Sequence, residues 1–129
     1  MQPQDLNFEQ ADLIGPLLTL DALETDAVPF GVIGFDLEGT VRRYNRWESE
    51  AAGLRLNQAL GLNLFGVVAQ CMNNYLVAQR FEDATRAGEP LDATIDYVLT
   101  LRMRPQRVKL RLLSAPGAAL RFVCIDRRA

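Results

Sequence analysis

The chain has 129 residues, 49% of them apolar, with 14 Lys and Arg against 16 Asp and Glu; that suits one globular domain with one core. It contains no histidine, which removes Ser-His-Asp and Cys-His triads, His-ligated zinc and proximal-His haem from the chemistries it can build alone. No apolar run approaches the roughly 20 residues that span a bilayer, and Met1-Gln2-Pro3-Gln4-Asp5 lacks the basic and apolar regions of a signal peptide. A cytoplasmic protein with no membrane role is expected, its Cys71 and Cys124 free rather than bridged.

In chain order, Phe8, Ala11, Leu13, Ile14, Leu17 and Leu18 recur at nearly helical spacing, broken by Gly15-Pro16, so residues 1–28 read as an N-terminal helical cap. Phe30-Gly31-Val32-Ile33-Gly34-Phe35 is β-prone, and Asp36-Leu37-Glu38-Gly39-Thr40 turns it into Val41-Arg42-Arg43-Tyr44-Asn45, a β-hairpin. Arg46 to Gln70 breaks into short pieces at Gly53, Gly61 and Gly66, which fits several one- or two-turn helices. A longer helix, capped by Asn73 or Asn74, carries Tyr75, Leu76, Ala78, Phe81 and Ala84 until Gly88 closes it.

Ile95, Tyr97, Leu99, Leu101 and Met103 alternate with Thr94, Asp96, Val98, Thr100 and Arg102, which points the odd residues inward. Arg104-Pro105-Gln106 turns the chain, Val108, Leu110 and Leu112 alternate with Arg107, Lys109 and Arg111, and Ala115-Pro116-Gly117 turns it again. The continuously apolar Leu120-Arg121-Phe122-Val123-Cys124-Ile125 suits a central strand covered on both faces, with the N-terminal segment as one cover. Acidic residues precede Arg42 while arginines crowd the last third, so an acidic lead docking on a basic sheet face is expected. A nucleic-acid surface is not, because no aromatic residues interleave with those arginines.

Two strands, several short helices, one longer helix and three strands is the order of a PAS domain. The expected class is α+β: a five-stranded antiparallel sheet with short helices on one face enclosing a small pocket in residues 29–129, behind the N-terminal cap. From about Phe30 onward the chain more specifically resembles the photoactive yellow proteins, small blue-light receptors of this fold. The resemblance lies in Phe30-Gly31-Val32-Ile33, Tyr44-Asn45-X-X-Glu48, Gly61-Leu62-Asn63-Leu64-Phe65, Val68-Ala69-Gln70-Cys71 and Met103-Arg104-Pro105-Gln106-Arg107-Val108-Lys109. Tyr44, Glu48 and Cys71 stand at the family's separations without a gap.

The resemblance implies a p-coumaric acid held as a thioester on Cys71, its phenolate oxygen hydrogen-bonded by Tyr44 and Glu48. Pocket walls are expected from Ile33, Ala52, Val68, Ala69, Tyr97 and Met103. A phenolate away from water is costly unless strong donors meet it, and Glu48 donates only while burial and the adjacent negative charge keep it protonated. The resemblance further implies that light isomerises the double bond and that the Glu48 proton follows the phenolate; an unpaired buried carboxylate is then expected to drive partial unfolding, with the cap, expected to rest on few contacts, loosening first.

Individually the three residues have plain readings: Cys71 as a small apolar filler, Tyr44 as an ordinary strand residue and Glu48 as a solvated helix residue. Cys124 reads as packing. The chain also departs from the family. Ala52 replaces a threonine that bonds the tyrosine, Leu54 a gating arginine for which the adjacent Arg55 is a substitute, and Gln70 the proline before the cysteine. Trp47 is bulkier than usual, and Leu99 and Leu101 replace aromatics. The alternative function is a non-photosensory PAS module for another ligand or for protein interaction; a thiol redox role for Cys71 lacks a neighbouring histidine or lysine. No enzymatic activity is expected; an unidentified downstream signalling protein is the expected partner, for a monomer or weak dimer.

Overall fold

The computed structural model describes residues 2–100 and 105–128; Leu101, Arg102, Met103 and Arg104, expected to finish one strand and begin the next turn, lie outside them. The cap contains α1 (Ile14–Thr19) and α2 (Ala22–Thr25). The hairpin is β1 (Gly31–Phe35) and β2 (Val41–Tyr44), followed by α3 (Arg46–Ala52), then a π-helical turn at Leu64–Val68 and a 3-10 turn at Gln70–Met72. The longer helix α4 (Ala78–Ala87) leads into β3 (Leu91–Leu99), β4 (Gln106–Ser114) and β5 (Arg121–Asp126).

These strands form one five-stranded antiparallel sheet, as expected, in the order β2-β1-β5-β4-β3. β5 is central and buried along its whole length. Its alternation divides two apolar layers: Val123 and Ile125 join the layer under the short helices, with Ile33, Phe35, Leu64, Phe81, Leu110 and Leu112, while Phe122 and Cys124 join the layer under the cap. In β3 the odd residues from Leu91 to Leu99 are the less exposed ones, as the alternation predicts.

The cap is anchored more firmly than expected. Leu6, Phe8, Leu13 and Leu17 are buried against Val32, Leu113, Phe122 and Cys124. Arg111, projecting from the same face of β4, donates to the carbonyls of Phe8, Gln10 and Ala11 at 2.9, 2.6 and 3.2 Å and to both Asp92 oxygens at 2.8 Å. The docking is thus mostly apolar and carbonyl-based rather than acidic-on-basic. Asp5, Asp12, Asp21 and Glu24 bond backbone amides of their own turns, and Glu9 reaches exposed Arg128 at 3.2 Å.

Asn45 ties cap, hairpin and α3 together. Its Oδ1 accepts from the backbone amides of Val32 and Glu48 at 3.0 and 3.1 Å, capping α3, and its Nδ2 donates to the carbonyls of Phe30 and Thr25 at 2.8 and 3.3 Å. The buried amide has both its acceptor and donor sides used, which fixes α3 against the start of β1.

Candidate functional site

The inner layer gathers the predicted residues from four parts of the chain. Tyr44, opposite Ile33 at the end of β2, is buried at 4% exposure and packs in the same cluster as Ile33, Ala69 and the partly buried Val68, Cys71 and Tyr97. Ala52, on the last turn of α3, is half-buried. Met103 falls outside the described residues. Of the positions that depart from the family, Leu54 packs against the inner cluster. Arg55 is exposed, and Trp47 is half-exposed. Gln70 also faces solvent, its Nε2 donating to the Gly66 carbonyl at 2.7 Å across the π-helical turn.

Glu48 is placed by two features. The Asn45 cap sets the first turn of α3 so that Glu48 reaches back over β1. Gly31 then leaves the necessary space, since a Cβ there would collide with Glu48 Oε1; this position requires a glycine because the carboxyl occupies the side-chain volume. Glu48 is only 1% exposed. Its carboxyl receives two N–H bonds from Arg127, Nη1 to Oε1 at 2.6 Å and Nη2 to Oε2 at 2.9 Å. Burial pushes the Glu48 pKa up from its ordinary value, and the Arg127 guanidinium draws it back. A carboxyl accepting through both oxygens from a guanidinium is the ionised form.

Arg127 immediately follows β5, with a side chain 11% exposed, and its Nε donates to Gln106 Oε1 at 3.1 Å. Tyr44 is close enough to contribute electrostatically to holding the Arg127 charge. The buried carboxyl and the guanidinium therefore form one ion pair at the β1–β5 end of the inner layer, with the Tyr44 phenol within electrostatic range of the guanidinium.

Cys71 sits on the 3-10 turn Gln70–Met72, half-buried and free. Its carbonyl accepts from the Tyr97 hydroxyl at 2.5 Å and from Asn74 Nδ2 at 3.2 Å, and Asn74 Nδ2 also donates to the Tyr97 oxygen at 2.7 Å. Asn74 Oδ1 meanwhile accepts from the amides of Leu76 and Val77 at 3.0 and 3.2 Å. Tyr97, expected only as wall, thus ties the cysteine-bearing turn to β3 through its hydroxyl. Preceding residues are stitched to the hairpin: Val41 N donates to Leu62 O at 2.9 Å and Leu64 N to Gly39 O at 2.8 Å. Cys124, by contrast, is fully buried under the cap and its thiol pKa is pushed well up by that burial.

Arg127 and Asn74 were missed in sequence. Asn74 carried a signal as a helix-cap candidate, whereas Arg127, among a pair of C-terminal arginines, carried none. Among the described residues no group of His, Cys, Asp and Glu is arranged to hold a metal ion, and no helix is long and apolar enough to cross a membrane.

No protein-family model matches the chain. It is 29% identical over 110 residues to the photoactive yellow protein of Rhodothalassium salexigens, covering 85% of this chain and 87% of that one. To the photoactive yellow protein of Cereibacter sphaeroides it is 27% identical over 120 residues, covering 93% and 95%. The PAS domain of the Cronobacter turicensis quorum-sensing receptor RpfR, at a TM-score of 0.54 and 14% identity over 78% of this chain and 94% of that one, shares the fold. The photoactive yellow protein domain of the sensor histidine kinase Ppr from Rhodospirillum centenum superposes with a TM-score of 0.78 at 34% identity, covering 88% of this chain and 98% of that domain. With that identity across nearly the whole of such a domain, the chain belongs to the photoactive yellow protein family.

Proposed function

We propose that the chain is a blue-light receptor that carries a p-coumaroyl group as a thioester on Cys71. The observation that carries this reading is Glu48, a carboxyl almost wholly withdrawn from water over the Gly31 end of β1, next to an inner layer that contains Tyr44 and that Cys71 packs against. Burying a carboxyl sacrifices its hydration, Arg127 offsets part of that cost, and an ionisable group so withdrawn, with its pKa raised by burial, is a mark of a functional site. The residues suit the group: Gly31 leaves the room that the carboxyl occupies, Tyr44 would supply one O–H donor for an anionic phenol oxygen, Glu48 would supply a second once it has taken up a proton, and Arg127 supplies a neighbouring positive charge.

The bound group would supply a double bond that light isomerises and a phenol that changes its proton affinity. The chain's own residues do the rest. Tyr44 orients the phenol end by donating one hydrogen bond, and protonated Glu48 donates the second. The Tyr97 and Asn74 bonds to the Cys71 carbonyl fix the turn that bears the sulfur. Were the phenol oxygen to move away, Glu48 would give up its proton toward it and return to the carboxylate that Arg127 holds; local opening around that rearranged group is the signal passed to a downstream protein.

The test is illumination of the loaded protein with blue light while its visible band and amide hydrogen exchange are followed. A reversible bleach with faster exchange is expected in the wild-type chain, and Glu48→Gln should shift the band and remove the carboxylate step while leaving isomerisation intact. A loaded protein that does not bleach, or an unchanged spectrum in Glu48→Gln, would overturn these roles.

A further inference from the structure

Arg127 has no counterpart among the roles assigned to Tyr44, Glu48 and Cys71, yet it is the group that touches Glu48 most closely. Its three donating nitrogens are all engaged, two on the Glu48 oxygens and one on Gln106 of β4. The guanidinium is clamped in the inner layer rather than free in solvent. It stays charged at any accessible pH, and a neutral Glu48 would leave that charge without its anion. The chain without a ligand therefore holds this pair as carboxylate and guanidinium.

We propose that Arg127 is a positioning residue that keeps Glu48 ionised until a phenol-ended ligand arrives, so that Glu48 takes up the phenol's own proton. This rests on the reading of Cys71 as the acylated residue. The count closes within the site. Beforehand there is one anion, Glu48, one cation, Arg127, and one O–H on the incoming phenol. That O–H bond breaks, an O–H bond forms on Glu48, and the negative charge passes from Glu48 to the phenol oxygen. Tyr44, within electrostatic range of Arg127 from β2, takes no part in the transfer. Arg127 faces a single anion before and after, and no proton is exchanged with solvent. Without the guanidinium, burial favours a neutral Glu48 at the outset, and an anionic phenol oxygen then requires loss of a proton to water.

The test begins with unloaded protein, so that it does not depend on the chromophore. Infrared spectra at neutral pH of chains labelled with ¹³C-carboxyl glutamate report whether Glu48 carries a carboxylic C=O stretch. The expected result is no such band in the wild type or in Arg127→Lys, a band in Arg127→Gln, and its disappearance in Glu48→Gln/Arg127→Gln. A Glu48 acid band in the unloaded wild type overturns the proposal, as does a folded Arg127→Gln chain without one. Should Arg127→Gln not fold, Arg127→Lys decides with the wild type, because an acid band in either refutes the charge-holding role. After reaction with an activated p-coumaroyl donor, the wild type should gain the Glu48 acid band. In Arg127→Gln the proton affinity of the coloured form should rise about tenfold or more, the usual effect of removing an opposite charge at contact; equal affinities overturn the transfer. A wild-type chain that does not acylate on Cys71 sinks the chromophore reading and the transfer with it, while the unloaded spectra judge the Glu48–Arg127 pair separately.

Discussion

Glu48 and Arg127 lie 79 residues apart in sequence and meet through N–H···O bonds of 2.6 and 2.9 Å, a contact that ties α3 to the end of the central strand. It sets two opposing forces on one carboxyl, loss of hydration and a neighbouring cation. Their balance gives the site its pH behaviour.

Burial is the larger influence and raises the Glu48 pKa above its ordinary value, with Arg127 opposing. A carboxyl with a raised pKa binds its proton more tightly in the folded state. Its contribution to stability is therefore fully present below the unfolded value of about 4.3 and is lost as pH rises through the folded value. Glu48→Gln, which cannot ionise, should gain on the wild type in urea unfolding as pH is raised from about 4 to about 7. A difference independent of pH would show that Glu48 does not feel its burial.

Arg127→Met removes the cation and leaves Glu48 buried alone. Breaking such a pair from one side costs about 3 kcal/mol at neutral pH. The loss should shrink in acid, where Glu48 is protonated in both chains, and denaturation midpoints at two pH values check it.

Arg111 holds the cap through three backbone carbonyls and is itself paired with Asp92. Arg111→Ala leaves those carbonyls buried without donors, each a loss of about 1 kcal/mol or more. The expected outcome is destabilisation of about 2 to 4 kcal/mol, with amide exchange accelerated first in residues 6–20. Uniform acceleration across the sheet would mean that the cap is not a separate opening unit.

Tyr97→Phe removes one donor from the Cys71 carbonyl and an acceptor from Asn74. A cost of about 1 kcal/mol is expected, together with faster reaction of Cys71 with an aromatic disulfide reagent. Cys124 is the internal control: fully buried, with a thiol pKa raised by that burial, it should react only on unfolding. Equal rates at the two cysteines in the native chain would contradict their placement.

What the sequence revealed was periodic. The alternation through residues 91–99 expresses a repeat of backbone geometry, the glycine-containing hairpin turn and the fragmented segment between Arg46 and Gln70 mark where such repeats break, and the succession of these elements pointed to a five-stranded antiparallel sheet. Tyr44, Glu48 and Cys71 were singled out because their spacing matches a known family, and their roles rest on that match. Contacts made by single long polar side chains left no such trace. Arg127 reaches Glu48 and Arg111 reaches Phe8 only after the sheet has assembled, and neither pairing has a period or a local motif. For the same reason the cap was expected to rest lightly: Leu6, Phe8 and Leu13 advertise an apolar face, but the carbonyls that Arg111 gathers belong to backbone, which composition cannot show.

The central claim is that Cys71 carries a phenol-ended chromophore within reach of Glu48 and Tyr44. Its most direct test is reaction of the purified chain with an activated p-coumaroyl donor, followed by intact mass and an absorption spectrum, with Cys71→Ser as control. The account predicts one p-coumaroyl mass increment on Cys71 and a yellow product with a visible band, both absent in the control. A colourless, unmodified wild-type chain, or acylation that persists in Cys71→Ser, would contradict it.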